Sequence, residues 1–107
     1  MSMNLNLRSI LESNKLSGPN FPDWVRNLRI VLRSEKALFV LDEVAPEVPP
    51  VDASNEVLVN YNRYRDTEEV ATCLMLASIS PDLQKQHGHM NAQEILVHLQ
   101  ELFGAQS

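Results

Sequence analysis

Cysteine, glycine and cationic residues are all scarce in this sequence, and each shortage removes a class of function. A single cysteine, Cys73, among 107 residues excludes an internal disulfide and any zinc site built from cysteine pairs, and it fits a reducing, intracellular setting. The three glycines, Gly18, Gly88 and Gly104, leave none for a phosphate-cradling loop or a G-x-S-x-G nucleophile elbow. Each stands instead where a helix would end. Lys and Arg number 9 against 14 Asp and Glu, a formal net charge of -5, whereas proteins that hold nucleic acid by neutralising phosphates concentrate positive charge on one face. The longest unbroken apolar runs, 37–41 and 73–77, fall far short of the roughly 18 residues that suggest a membrane span. No cationic stretch followed by a long apolar one opens the chain, so no secretory signal is expected. The expectation is a cytoplasmic protein with no membrane contact, no cofactor and no enzymatic site.

What is present reads as helix. The length suits one domain over residues 1–107 with a single core. Residues 3–7 alternate polar and apolar side chains as a strand would, yet Leu7, Ile10 and Leu11 fit one face of a short helix equally well. The helix is the favoured reading, and it must stop by Gly18 and Pro19. Pro22 suits a first helical turn, where its missing N–H is not needed, and Asp23 favours the positive end of the helix dipole. From Trp24, apolar residues recur at Leu28, Val31, Leu32, Leu38 and Phe39, which predicts one long helix ending near Asp42. Pro46, Pro49 and Pro50 among Glu43, Glu47 and Asp52 then predict an extended, mobile connection.

A second long helix is expected from Ser54, a capping residue, to about Ile79, through Leu58, Tyr61, Tyr64, Ala71 and Met75. Its later half is apolar nearly all round, which predicts a central helix with neighbours on several sides. Ser80, Pro81 and Asp82 open a short helix that Gly88 can close. Asn91 and Glu94 have the spacing of a capping box for a last helix with Ile95, Leu96, Leu99, Leu102 and Phe103 inward, ending at Gly104. The fold class expected is all-α, a compact bundle of about five helices anchored by Trp24, Leu28, Leu32, Tyr64, Ala71, Met75, Leu96, Leu99 and Phe103.

Three features hint at chemistry. His87-Gly88-His89, with His98 further on, is metal-like only if ligands from elsewhere join it, so exposed turn histidines are expected. Cys73 lies in an apolar run with no local base, which predicts a buried structural thiol. Arg26, Arg29, Arg33 and Lys36, in steps of three and four, fall near one line along a helix. They form a candidate surface for an acidic partner or a nucleic-acid backbone, although solvated faces of amphipathic helices usually look like this. Trp24, Tyr61, Tyr64 and Phe103 fit a core better than a platform for bases.

The order of particular residues goes further. Leu16-Ser17-Gly18-x-Asn20-Phe21-x-x-Trp24 resembles the L-x-G-x-N-(Y/F)-x-x-W signature near the start of copia-type retrotransposon Gag polyproteins. Trp24-x-x-x-Leu28, Leu32 and Leu38-Phe39-Val40 resemble that family's first long helix and the turn after it. Tyr64, Glu68, Ala71, Met75 and Ser78-Ile79 follow the spacing of its central helix, with Tyr64 where tryptophan is common. Ala92-x-Glu94-x-Leu96-x-x-Leu99-x-x-x-Phe103 is similar to its A-x-E-x-W-x-x-L-x-x-x-Y, with Leu96 for tryptophan and Phe103 for tyrosine. The likeness covers about residues 14–107. It implies a fold like the N-terminal domain of a retroviral capsid protein, and a structural role in which Gag copies self-associate into a virus-like particle around the element's RNA. The family's later capsid half, zinc knuckle, protease and polymerase do not lie in this chain, which looks like a part of a longer protein. Little or no direct nucleic-acid binding is therefore expected of it. The alternative is a domesticated Gag-derived module that binds a protein or peptide in a groove between helices.

Overall fold

The computed structural model describes residues 7–104, and all the elements found among them are helices. They are α1 (Arg8–Ser13), α2 (Phe21–Ser34), α3 (Phe39–Asp42), α4 (Asn55–Ala77), α5 (Pro81–His87) and α6 (Ala92–Phe103). Residues 3–6, where a strand competed with a helix, and residues 105–107 lie outside the described residues. No described helix is long and apolar enough to cross a membrane.

Six helices stand where about five were expected, because the single long helix predicted from Trp24 to Asp42 is broken. The break is a Schellman turn. Lys36 adopts a left-handed φ of 59°, its N–H donates to Arg33 O (3.1 Å), and the N–H of Ala37 reaches back to Leu32 O (2.8 Å). Ala37 and Leu32 are both buried, so an apolar contact of the kind that accompanies this motif holds the chain end in the core. Periodicity misses it because no glycine marks the left-handed position. The starts of α4, α5 and α6 follow the capping chemistry read from the sequence. The Ser54 and Ser80 hydroxyls accept from Val57 N–H and Leu83 N–H (both 3.3 Å), and Asn91 and Glu94 close a reciprocal capping box at 2.9 Å each way.

The buried side chains form one cluster that includes Trp24, Leu28, Leu32, Tyr64, Ala71, Met75 and Leu99. Leu96 and Phe103, expected as anchors, are half-buried and pack on its edge, and Leu102, expected inward, is 43% exposed. A twelve-residue terminal helix covers the core from one side only, so its flanking positions stay open. The two long helices are joined at the end of α4, where Ser78 is the C-cap. The Trp24 Nε1–H donates to Ser78 Oγ (3.1 Å), while α2 packs on α1, and α4 packs on α3, α5 and α6.

α4 is less enclosed than its composition suggests. Its buried stripe is Tyr64, Ala71 and Met75, while Val70, Cys73 and Ala77 face outward. Its first residues, 55–60, are all exposed. Together with the preceding connection they form a lobe that stands off the core. The radius of gyration of 15.3 Å exceeds the about 13 Å expected of a compact chain of this length, in keeping with that projection.

Candidate interaction surfaces

Residues of the family-like motif do structural work around one joint. Leu16 is buried, and its N–H donates to Ser78 O (2.9 Å) in an isolated bridge alongside Ile79. Gly18 has φ +121°, a conformation that side-chain-bearing residues rarely adopt. A Cβ there would meet Phe103 at 3.6 Å, an ordinary contact, so the backbone angle rather than space calls for glycine. Asn20 ties the turn: its Oδ1 accepts from the Ser17 N–H (2.9 Å) and its Nδ2 donates to Lys15 O (2.9 Å). Ser78 is the partner that sequence reading missed. Its hydroxyl accepts from Trp24 and lies within bonding distance of Leu74 O (2.9 Å) and Met75 O (3.1 Å), so the indole N–H is satisfied inside the core.

The four cations of the candidate surface differ in how they are balanced. Arg26 pairs with Asp23 (2.8 Å), and Arg29 reaches both carboxylate oxygens of Asp42 (3.0 and 3.1 Å). Arg33 and Lys36 are exposed, and among the described residues no carboxylate pairs with them. Lys36, expected in line with the other three along one helix, lies in the turn beyond the end of α2, because the helix stops at Ser34. Ile30, 46% exposed, is one turn before Arg33, so the face combines positive charge with an apolar side chain. At the end of α2, Arg8 of α1 pairs with Glu35. The hydrogen bond from Arg8 holds the Glu35 carboxyl below its usual range, although partial burial opposes this.

The histidines were expected to be exposed in a turn, and one of them is not. His87 is fully buried, with Nδ1 2.7 Å from Leu83 O and Nε2 2.5 Å from His98 Nδ1. Its neighbour His89 is exposed. In the tautomer that donates through Nδ1 to Leu83 O, His87 keeps Nε2 to accept from the Nδ1–H of His98. The sequence hides this pair because the partners are eleven residues apart on two helices. No group of three or more His, Cys, Asp or Glu among the described residues is suited to a metal ion.

Cys73, expected to be buried, is exposed. It lines a groove of about 440 Å³ between α1 and α4 with Leu11, Val70, Leu74 and Ala77. The run 73–77 has one side in the core, through Met75, and Cys73 falls outside that side. Desolvation and the charge of Glu69 push its thiol up, opposite to the shift that activates a nucleophile.

The lobe at residues 43–59 carries Glu43, Glu47, Asp52 and Glu56, with no Lys or Arg. Val44, Val48 and Val51 are 92%, 76% and 108% exposed, and Val57, Leu58 and Val59 are exposed beside them. Its base is fastened to the core, since the Gln93 amide donates to Val40 O (2.9 Å) and to Glu43 O (2.5 Å). Tyr64 supports it from beneath, with its hydroxyl 3.4 Å from Val40 O and its ring edge-on to Phe39 at 5.8 Å. No protein-family model, curated protein or solved structure matches the chain.

Proposed function

We propose that this chain is a structural domain of a copia-type Gag protein, like the N-terminal domain of a retroviral capsid, that takes part in self-assembly of virus-like particles. The observation that carries the reading is the ordered motif from Leu16 to Trp24. Within an all-helical fold, Leu16, Gly18, Asn20 and Trp24 each have a specific task at one joint. Residues so constrained are the ones a family signature retains. The chain acts through surfaces rather than by catalysis, with other Gag copies as partners in the cytoplasm. A second reading, a domesticated module binding a peptide, draws support from the apolar groove between α1 and α4.

Sedimentation velocity over rising concentration tests the first reading. One patch of modest size gives weak association, and a closed shell needs more than one kind of contact. The expected result is a concentration-dependent shift to small oligomers without closed particles. A chain that stays monomeric up to about millimolar concentration, where even a contact worth about 4 kcal/mol would register, favours the peptide-binding module instead.

A further inference from the structure

We propose that the basic face of α2 on one copy docks on the acidic, apolar lobe at 43–59 of a second copy, head to tail. The proposal rests on the self-association reading above and names the surfaces that carry it. The lobe presents four acids, no bases and six exposed large apolar side chains. Its occupant must therefore be apolar and positively charged. The outer face of α2 has that chemistry, with Arg26, Arg29 and Arg33 beside the exposed Ile30, and Lys36 follows in the turn beyond the helix end; Arg33 and Lys36 have no acidic partner among the described residues.

Within one copy the two surfaces touch only at their border, where Arg29 meets Asp42. Beyond Asp42 the chain turns away, held by Gln93 of α6 at Glu43 O and packed near Asn60 and Arg63 of α4. The exposed valines of the lobe thus remain uncovered by their own chain. Like faces cannot pair, since two lobes would oppose eight acids and two α2 faces would oppose their unbalanced cations. Complementary but different patches make a heterologous contact, which repeats into a ring or an open lattice instead of stopping at a dimer. Pro46, Pro49 and Pro50 limit the conformations the lobe loses on docking, which lowers the entropic cost. The attraction is between exposed charges, so it weakens with salt.

Charge reversal on each side gives the test. The variant Arg33→Glu with Lys36→Glu alters the face, and Glu47→Lys with Asp52→Lys alters the lobe; all four residues are exposed and lie outside the ion pairs seen here. Each variant alone is expected to associate about tenfold or more weakly than the wild type in sedimentation equilibrium at low salt. An equimolar mixture of the two should regain association, because each altered face meets a complementary lobe. Circular dichroism melts near the wild-type value confirm that both variants fold. If the wild type associates and the variants associate equally well, the surfaces are wrong while self-association stands. If the wild type does not associate at all, both readings fall. If the wild-type face instead binds labelled single-stranded RNA tightly and the Arg33→Glu, Lys36→Glu variant does not, the face is a nucleic-acid site and the proposal is overturned.

Discussion

At the scale of single residues, Trp24 shows how a large side chain and one polar atom divide the task of holding two long helices. The ring is fully buried and stacks on Phe21 at 6.2 Å between centroids, while its N–H meets Ser78 Oγ. Trp24→Ala removes both contributions and should cost about 3–5 kcal/mol, a large part of the stability of a small domain. Trp24→Phe keeps most of the apolar volume and loses the hydrogen bond. Ser78 Oγ still has carbonyl partners at Leu74 and Met75, so its hydroxyl is not stranded. The loss from the hydrogen bond itself should be about 1 kcal/mol. Urea denaturation of both variants checks the division, and a Trp24→Ala protein as stable as the wild type would place the ring outside the core. The buried histidine gives a second residue-scale prediction. His98→Leu leaves His87 Nε2 buried without its partner, which should cost about 1–3 kcal/mol. Changing both histidines to leucine should cost less than the sum of the single changes, because neither ring is then left facing an absent partner, although Leu83 O still loses the His87 donor; the double-mutant cycle reads that difference.

At the scale of elements, legibility depended on whether the signal was local. The capping residues Ser54, Ser80 and Asn91 mark helix starts through bonds formed within one turn, and the prolines at 22 and 81 through a fixed φ and a missing N–H that the first turn does not need, so they were readable in order. The end of α2 was not. It depends on a left-handed lysine and on the burial of Ala37, a tertiary effect with no composition cue. The exposed side of α4 was misread for a related reason, because apolar composition does not say which flanks will find neighbours. Leu96, Leu102 and Phe103 show the same limit in α6. The Schellman turn also makes a prediction. Lysine in the left-handed region bears a conformational penalty that glycine does not, and the Lys36 side chain is exposed with no pairing carboxylate. Lys36→Gly should therefore stabilise the protein by up to about 1 kcal/mol, the usual scale of the left-handed penalty less the greater unfolded-state entropy of glycine. A rise in Tm by thermal melting is the expected sign, and a fall of several degrees would mean that the strain at this position is small.

At the scale of the whole molecule, charge distribution decides what the chain can hold. The candidate surface was legible as a stripe of four bases that the acidic segment 42–69 could balance, but the particular pairing was not, because Asp42 lies thirteen residues beyond Arg29 and reaches it only after the helix breaks. Two of the four cations are already satisfied, and an acidic lobe lies close by. The protein should therefore bind single-stranded RNA weakly at physiological salt. Each phosphate neutralised contributes a slope of about 0.7 in log affinity against log salt for single strands, so Arg33 and Lys36 together support a slope of only about -1.4. Breaking the pairs of Arg26 and Arg29 to recruit two more cations would sacrifice Asp23 and Asp42 contacts and bring those carboxylates toward the RNA. The net charge of -5 adds a repulsive background that grows as salt is lowered, which flattens the dependence further. Fluorescence anisotropy with labelled single-stranded RNA at several salt concentrations measures affinity and slope together. Micromolar or weaker binding with a shallow slope is the expected outcome. Sub-micromolar binding with a steep slope, lost in Arg29→Glu with Arg33→Glu, would show that the α2 face engages phosphates in spite of its acidic surroundings.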